Sequence, residues 1–394
     1  MNILNKKVLV MFGEGDNSIS TVKEAFEEGI SAFAVKAFHK KLNAVLAGTI
    51  DVDTVPRQKG EKTKIDLPAY FDDADEMDEN LDVSCKNPKL PQLEVELDRH
   101  KGNKFKLNAR EEMAIRSGTL PKTLEAMTES LGRTMNKDVA ISVYKEVGLF
   151  SGDLESQNPR DFTDLANAEE VLNDSGIEDD LRLLMHPRTK TNLKISSTNG
   201  TKSGDEDLVA NGDLGTRNGF TLFPNISITH VAGTASNNAG IKVKEEVLED
   251  AKAITLAGLQ DGETINDGDI FELADGTSYS VRGDYIVSGT EVTVALYQKV
   301  KAPIAADVTV DIKGDHRVDL AFHQSAYVTS PRPFEEFESG ETFAITIAHP
   351  TTGIPITFRH FNKDAGTHKY WKVECLYTVT VLADLGRAVR MGGH

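Results

Sequence analysis

The chain has 394 residues, with 62 acidic and 44 basic side chains and a formal net charge of −18 at pH 7. This length allows two or three domains with cores of their own. The acidic balance argues against tight wrapping of nucleic acid, which requires concentrated Lys and Arg. With two cysteines in the chain, we expect no disulfide framework and assembly in a reducing cytoplasm. No apolar run reaches the roughly 18 residues that a spanning helix needs, so we expect no membrane association.

The first fifty residues combine a Gly-x-Gly turn with a predicted helix. Residues 7–18 resemble a strand followed by a phosphate-binding loop, but Ser18 stands where a dinucleotide fingerprint needs its third glycine. Thr21 and Glu24 form a capping box that predicts a helix over residues 21–47. Its apolar stripe faces either the core or a partner, and both interpretations stay open: Phe26, Ile30, Phe33, Ala37 and Phe38.

Residues 49–107 predict an extended arm. They open with a polar, proline-broken stretch and continue into the acidic run FDDADEMDEN over 71–80. Asp73 and Asp75 resemble a calcium loop, but the required glycine and closing glutamate are missing, so a solvated tip is the better interpretation. Strict alternation then predicts a hairpin with a turn at Lys-Gly-Asn, flanked by Leu93, Val95 and Leu97 before it and Phe105 and Leu107 after it. A polar loop of this length suggests a partner outside the domain, either another copy or another protein.

Residues 119–147 predict one long helix, about 40 Å in length. Thr119 caps its start, Pro121 lies in the first turn and Gly148 ends it. Gly132 and Asn136 weaken its middle, where we expect a bend. The apolar face is either an ordinary core face or the side of a strut along a flat subunit, and it comprises Leu120, Leu124, Met127, Leu131, Met135, Val139 and Ser142.

The remaining stretches predict mixed structure. We expect a short acidic helix within 159–180, a buried strand from residue 181 that Pro187 ends, with His186 as a core or turn residue, and a flexible loop over 196–219. Residues 238–315 alternate short β runs with Gly and Asp turns, which predicts a small inserted barrel or sandwich.

No residues are predicted to be catalytic, to bind a cofactor or to bind a metal. The chain lacks Gly-x-Ser-x-Gly, His-Glu-x-x-His and P-loop motifs. Ser325 lies near His323, but without an acid the two do not make a catalytic triad. The cysteines are expected to pack in the core. Four histidines suggest a metal cluster but fit no ligand spacing, and ordinary structural roles are favoured for them: His323, His349, His360 and His368.

Two segments resemble a known family. Residues 318–334 read VDLAFHQSAYVTSPRPF, and residues 353–391 end in alternating apolar strands after Trp371. The first resembles the AFH segment of podovirus-type major capsid (coat) proteins of tailed bacteriophages, and the second resembles their closing strands. Residues 219–234 are similar to the family's strand before an insertion. The resemblance spans roughly 62–391, although the turn after Tyr377 lacks the family's usual glycine and the first fifty residues match nothing.

The resemblance implies an α+β fold of the tailed-phage major capsid type, with a peripheral domain on a long spine helix, an axial domain, an extended arm loop and an inserted β-barrel. The expected boundaries are an N-terminal arm (1–50), the arm loop and peripheral strands (51–110), the spine helix (111–149), the axial domain (150–237 and 316–345), the inserted barrel (238–315) and the peripheral closing strands (346–394).

The resemblance also implies a function. The chain would form pentamers and hexamers of an icosahedral head that encloses the genome without sequence-specific binding, and it would not be an enzyme. Its partners would be itself, a scaffolding protein, a portal protein and a decoration protein. It would assemble in the host bacterial cytoplasm and reside in the virion shell. The alternative is a β-rich virion decoration or tail and adhesion protein.

Overall fold

The computed structural model describes residues 31–66, 92–108, 119–152, 161–199, 216–217, 219–334, 342–363 and 368–393. The chain forms two compact units. The first unit comprises residues 1–36, 51–131 and 330–378, and the second comprises 37–50, 132–329 and 379–394.

The described elements are mixed, so the fold is α+β as expected. The helices are α1 Ser31–His39, α2 Asn43–Ala47, α3 Thr119–Glu146, α4 Phe162–Asp174 and α5 Pro187–Asn199. The strands are β1 Thr49–Ile50, β2 Lys62–Asp66, β3 Gln92–Glu96, β4 Arg99–Asn108, β5 Leu149–Ser151, β6 Leu181–Met185, β7 Thr216–Arg217, β8 Phe220–Pro224, β9 Thr229–His230, β10 Lys242–Val243, β11 Ala253–Ala257, β12 Thr264–Ile265, β13 Ile270–Leu273, β14 Ser278–Arg282, β15 Tyr285–Ile286, β16 Glu291–Leu296, β17 Val310–Ile312, β18 His316–His323, β19 Tyr327–Arg332, β20 Thr342–Ala348, β21 Pro355–Lys363, β22 His368–Val381 and β23 Ala388–Gly393.

The long helix α3 ends one residue before its predicted end. Its apolar face is buried, with Leu124, Met135 and Val139 fully inaccessible to solvent. Gly132 and Asn136, which weaken helix propensity, make close contacts in the second unit. A Cβ at Gly132 would lie 2.8 Å from the Phe38 carbonyl oxygen. The Asn136 Oδ1 accepts a hydrogen bond from the Ala44 N–H at 2.6 Å. These two residues therefore allow the N-terminal helices to dock on α3.

The N-terminal helix is broken, unlike the prediction of one helix over 21–47. A turn at residues 40–42 separates α1 from α2, and Leu42 in this turn is fully buried. Val35, Ala37 and Phe38 are also buried, so the described part of the stripe faces the core of its own chain. Residues 21–30, with Phe26 and Ile30, and the Phe33 side chain lie outside the described part.

In the first unit, β2 pairs antiparallel with β3, and β20, β21, β22 and β4 form an antiparallel sheet in that order. The predicted hairpin across Lys-Gly-Asn is wrong, because these residues lie inside β4. Gly102 faces Glu374 of β22, and a Cβ there would lie 2.9 Å from the Val373 carbonyl oxygen. The alternating pattern identified both strands but could not identify their partners.

In the second unit, β5, β23, β18, β6, β8 and β7 form a mixed sheet, with β9 also paired to β18. The last strand, β23, thus lies in this sheet rather than beside β22. The sheet packs on α4 and α5 through a buried cluster of Leu165, Ala168, Leu172, Leu181, Leu183, Met185, Leu193, Phe220, Ala321, Val389 and Met391. The short acidic helix expected in 159–180 is α4, which starts with a capping box at Asp161 and Asp164.

The buried strand predicted from residue 181 is β6, which ends before Pro187 as expected. Helix α5 was not predicted, and its residues 196–199 belong to the predicted flexible loop, so the start of that loop is wrong. Pro187 begins the helix, where its missing N–H costs nothing. The buried Asp319 carboxylate accepts hydrogen bonds from the His186 N–H and from the Thr189 hydroxyl, the latter at 2.6 Å. A carboxylate at a helix N-terminus offsets its unpaired N–H groups. Asp319 belongs to the AFH segment, so this segment positions α5.

Residues 238–315, which we call the inserted domain, contribute most of a separate core. Strands β10, β11, β16, β14, β13 and β17 form a sheet in that order, and β12 pairs with β15. A bridge between Lys242 and Thr309 and a 2.9 Å hydrogen bond from the Val243 N–H to the Val308 carbonyl link the two edges of this sheet. The core comprises Ala235, Ile241, Val243, Val247, Ile254, Leu256, Leu259, Ile265, Phe271, Leu273, Tyr279, Val281, Val287, Val294, Leu296, Val300, Ile304, Val310 and Ile312.

Candidate functional site

The Ser325 and His323 pair lies in a structural turn. The His323 Nδ1 lies 2.8 Å from the Ser325 Oγ and also accepts the Ser325 N–H at 3.1 Å, which caps the 3-10 turn Gln324–Ala326. Asp179 is the acidic residue that approaches the His323 ring. Its Oδ1 is 3.8 Å from the His323 Nε2, but its side chain is 93% exposed. Arg387 donates a hydrogen bond to the Ser325 Oγ. These contacts are those of a capped turn.

His349 and His360 have structural contacts of their own. Among the described residues, no three His, Cys, Asp or Glu side chains are placed to hold an ion. The His349 Nδ1 accepts the N–H groups of Thr351 and Thr352, both at 3.3 Å, and the His360 ring packs on Trp371. The His368 side chain and Cys85 lie outside the described part, and Cys375 is buried as predicted.

His186 is a buried turn residue, as predicted. Its Nε2 lies 2.7 Å from the Ser227 Oγ, and its Nδ1 accepts the Arg188 N–H at 3.0 Å. Among the helices that the structure describes, none combines the length and apolar character needed to cross a bilayer.

One face of the first unit's antiparallel sheet is rich in cations and aromatic rings. We call this surface the basic face and define it as Lys104, Lys106, Arg359, Phe361, Tyr370 and Lys372. The register of β4, β22 and β21 places Lys104 opposite Lys372 and Lys372 opposite Arg359. Lys106 lies opposite Tyr370, which lies opposite Phe361. Side chains two residues apart in a strand point to the same side, so these two rows share one face.

The opposite face of the same sheet is buried. Phe358, Trp371 and Val373 are at most 7% exposed, and the Asn103 Nδ2 donates a 3.0 Å hydrogen bond to the Met127 carbonyl of α3. The helix therefore covers one side of the sheet, and the basic face is on the other.

A buried carboxylate, that of Glu374, lies among the cations of the basic face. Glu374 is fully buried and accepts hydrogen bonds from Arg359 and from His100, the latter at 2.8 Å, and it forms an ion pair with Lys372. Burial alone would raise the pKa of Glu374, but the hydrogen bonds from His100, Lys372 and Arg359 outweigh burial and lower this pKa to about 2. Glu374 thus stays ionised at neutral pH.

The paired strands β2 and β3 are anchored to the first unit at one end. The nearly buried Arg332 contacts the Asp51 carboxylate at 2.5 Å and the Thr63 hydroxyl at 3.2 Å. Leu97, just beyond β3, is fully buried, and its N–H and carbonyl bond to the backbone of residues 60 and 61. Along β3 exposed and half-buried residues alternate. The chain joining the other ends of β2 and β3 carries the acidic run.

The inserted domain caps the C-terminus of α3, where helix carbonyls lack partners of their own. The Ser280 hydroxyl donates to the Lys145 carbonyl, and the Gln298 amide donates to the Glu146 carbonyl. The Lys145 Nζ lies 2.7 Å from the Asp267 Oδ2. Burial disfavours both charges, but their mutual contact outweighs burial, so the pKa of Lys145 is raised and that of Asp267 is lowered.

Arg390 lies fully buried beside this junction. Its guanidinium donates to the Tyr144 carbonyl at 3.3 Å and to the Gly268 carbonyl at 2.6 Å, and it lies over the Tyr144 ring. Burial lowers the pKa of Arg390 to about 10, which leaves it charged at neutral pH. The buried Asp269 carboxylate accepts hydrogen bonds from His230 and from the Gly233 N–H. These residues form a buried polar junction. Sequence patterns gave no signal for it, because its members come from four separate stretches of the chain.

We expect the Lys145→Met substitution to destabilise the chain by about 1 kcal/mol, the scale of a partly exposed ion pair. Asp267 keeps its hydrogen bonds from the Gly283 N–H and the Tyr297 hydroxyl, both at 2.8 Å, which limits the loss. Urea denaturation at low and high salt measures the effect, which should shrink as salt rises. The exposed pair of Lys244 and Glu291 supplies the control. Lys244→Met should leave the midpoint unchanged, and an equal loss in both variants would contradict the assignment.

The fold of this chain matches several solved structures. No protein-family model and no curated protein matches the chain. The capsid structure of the cyanophage P-SCSP1u aligns with a TM-score of 0.45 and 12% identity, covering 88% of this chain and 86% of that chain. The chain is similar to phage capsid proteins. The mature capsid of bacteriophage PhiM1 aligns with a TM-score of 0.42 and 10% identity, covering 88% and 86%. A virus-like particle from Pyrococcus furiosus aligns with a TM-score of 0.38 and 9% identity, covering 91% and 96%.

Proposed function

We propose that this chain is the major capsid subunit of a tailed double-stranded-DNA bacteriophage. In this proposal, copies assemble into pentamers and hexamers of an icosahedral head, with a scaffolding protein and a portal protein as partners and a decoration protein as a further candidate partner. Assembly takes place in the host bacterial cytoplasm, and the DNA is enclosed without sequence-specific contacts.

The observation that carries this proposal is the paired β2 and β3. Among the described strands, these two pair only with each other, so each has an outer edge without a strand partner. Exposed strand edges are ready to pair with another chain, and monomeric proteins normally cover them. Arg332 and Leu97 hold the pair at its base, so it is an ordered element of the first unit. An ordered element with open edges suits a subunit whose contacts are completed by neighbouring copies.

The sequence resemblance supports the same function, and the residues that carry it lie in the second unit. The AFH segment supplies β18, which pairs with β23, β6 and β9, and it also supplies Asp319 at the start of α5. Leu320, Ala321 and Phe322 are at most 2% exposed. These residues are therefore constrained by the architecture of the second unit, which gives a physical reason for the resemblance to be strongest there.

Electron microscopy of the chain expressed with its scaffolding protein tests the proposal. We expect closed shells of uniform size. A chain that stays monomeric under every assembly condition would contradict the proposal.

The acidic connection between β2 and β3 can be removed without breaking their pairing, since Asp66 and Gln92 are the last paired residues. We expect a chain in which an Asn-Gly turn replaces residues 67–91 to fold normally and to assemble poorly. Circular dichroism measures folding, and sedimentation measures assembly. A shell yield equal to that of the unaltered chain would show that this connection has no role in assembly.

The inserted domain favours a second candidate function. Because it has a separate core, it could serve as the binding module of a virion decoration or tail protein. The copy number in purified virions separates the two functions, since a shell subunit is present in hundreds of copies and a tail protein in a few.

A further inference from the structure

A pocket lies inside the second unit, where the inserted domain meets β5 and β23. Its lining is largely apolar and includes Val147, Leu149, Ala326 and Leu382. The pocket contains about 530 Å³ of space between the atoms, part of which is open to solvent. Pockets that bind small molecules combine an apolar lining with a few polar groups that fix the orientation of the ligand. The charged groups of this lining therefore decide which ligand it can hold.

Cations dominate the charged part of the lining, which comprises Lys299, Lys301, Arg387 and Asp384. The Lys299 Nζ lies 2.9 Å from an Asp250 carboxylate oxygen, and the Asp384 carboxylate accepts the Lys299 N–H at 2.8 Å. Arg387 donates to a neutral hydroxyl. Neither Arg387 nor Lys301 has a carboxylate within ion-pair distance among the residues that the structure describes. The pocket thus keeps two positive charges that no anion of its own compensates.

Lys301 approaches the lining at Gly386, which has no side chain to occupy the space there. A Cβ at Gly386 would lie 3.2 Å from the Lys301 Nζ and 3.7 Å from a methyl carbon of Leu149. An ammonium group and an apolar methyl group therefore border the same small space. The ammonium donates hydrogen bonds to an anion, whereas the methyl group offers contact to a hydrocarbon chain.

These two features match one class of ligand. We propose that the pocket binds a short aliphatic carboxylate, whose carboxylate meets Lys301 and Arg387 and whose chain lies against the apolar lining. Hydrogen bonds from a cation to a carboxylate are stronger than those between neutral groups, and burial of the chain removes apolar surface from water. An inorganic anion would leave the apolar lining unfilled. A neutral hydrocarbon would leave the two cations unpaired.

The small opening of the pocket favours a free acid over the end of a protein chain. Ala326, Leu382 and Ala388 line the pocket, yet none of them is more than 9% exposed. A short unbranched chain fits such an opening. The end of a protein would have to place further residues against Lys299 and Asp384, which are exposed and already paired with each other.

An occupant of the pocket would stabilise the second unit. The lining includes Tyr279 of β14, Leu149 of β5 and Ala388 of β23, so a bound ligand would contact both the inserted domain and the sheet of β23. A ligand that binds only the folded chain raises its stability as the ligand concentration increases. This effect needs no shell, so it can be measured on the unassembled chain.

Calorimetric titration of the full chain with sodium hexanoate, together with its thermal midpoint, tests the proposal. We expect saturable binding and a midpoint that rises with the hexanoate concentration. Acetate lacks the hydrocarbon chain and hexanamide lacks the charge, so each should bind roughly tenfold more weakly or worse. Binding of hexanoate should weaken as salt rises, because the contact between cation and carboxylate is screened.

Substitutions in the lining locate the site. Lys301→Gln should weaken hexanoate binding roughly tenfold, and Lys301→Arg should retain most of it. Lys242→Gln removes the same charge from an exposed lysine of the inserted domain outside the pocket and should leave binding unchanged. Thr277→Phe fills the pocket from a half-buried position and should abolish binding. The thermal midpoint without hexanoate shows whether the Thr277→Phe chain folds.

Hexanoate that fails to bind saturably would overturn the proposal, as would binding that is unchanged by Lys301→Gln or by a folded Thr277→Phe chain. Acetate that binds as tightly as hexanoate would indicate an ordinary surface ion pair, and equally tight hexanamide would remove the role of the carboxylate. An acetylated peptide ending in leucine that binds when hexanoate does not would assign the pocket to a protein partner, against the proposal. None of these results bears on the proposed capsid function, which the formation of shells decides.

Discussion

A Gly233→Ala chain is expected to lose about 3 kcal/mol of folding stability or more, the upper range for forced overpacking. A Cβ at Gly233 would lie 2.1 Å from the Thr264 carbonyl oxygen and 2.7 Å from its carbon, and backbone cannot move aside as a flexible side chain can. The backbone angles of Gly233, φ −68° and ψ 162°, suit any residue, so the loss would come from the close approach alone.

The clash would also disturb the buried polar cluster of Asp269 and His230, because the Gly233 N–H donates a hydrogen bond to the Asp269 carboxylate at 3.0 Å. Differential scanning calorimetry and urea denaturation measure the loss. Gly314→Ala is the matched control, since a Cβ there would meet no atom within 4 Å. Equal stability of the two variants would contradict the packing described for Gly233.

Glu374→Gln is expected to remove about 3 kcal/mol at pH 7, as follows from a carboxyl pKa of about 2 in the folded chain against 4.5 for the unperturbed group. The substitution leaves Arg359 and Lys372 opposite each other without their shared anion. Because the folded-state pKa is the lower one, the unfolded chain binds more protons between these two values. The contribution of Glu374 is therefore complete above about pH 4.5 and is lost as pH falls towards about 2.

Denaturant titrations from pH 7 to pH 2 measure this dependence. We expect the stabilities of the unaltered chain and the Glu374→Gln chain to converge as pH falls through the window. Glu94→Gln is the control, because Glu94 pairs with Lys62 on an exposed surface and its side chain is 53% exposed. A gap between the unaltered and Glu374→Gln chains that stays constant with pH would exclude a strongly lowered pKa for Glu374.

The sequence predicted those helices and strands that are determined by residues within the element itself. Helix α3 was predicted to within one residue, since its proline and its apolar period both lie inside the helix. Helix α5 was missed because its sequence is polar and its start is stabilised by Asp319, about 130 residues later in the chain. The hairpin prediction failed for the same reason, since the partner of β4 is β22, and the contact of His100 with Glu374 joins residues 274 positions apart.

The basic face was only partly visible in the sequence. Alternation in Lys-Phe-Lys places Lys104 and Lys106 on one side of a strand. Lys372 and Arg359 join them only through the register of three strands, which alternation does not specify. Arg390, Asp269 and His230 were missed altogether, because a buried polar cluster built from distant residues leaves no periodic pattern.

The hydrogen-bonded edges of the inserted domain make it a separable module. Val243 and Val308 are backbone partners, so the chain leaves this domain beside the point at which it enters. The intervening residues can therefore be cut out by joining two neighbouring points of the chain, although the buried Arg390 of β23 would then lose its hydrogen bond to the Gly268 carbonyl. The cost of losing the module is specific, since the last carbonyls of α3 and the Lys145 side chain would need new partners.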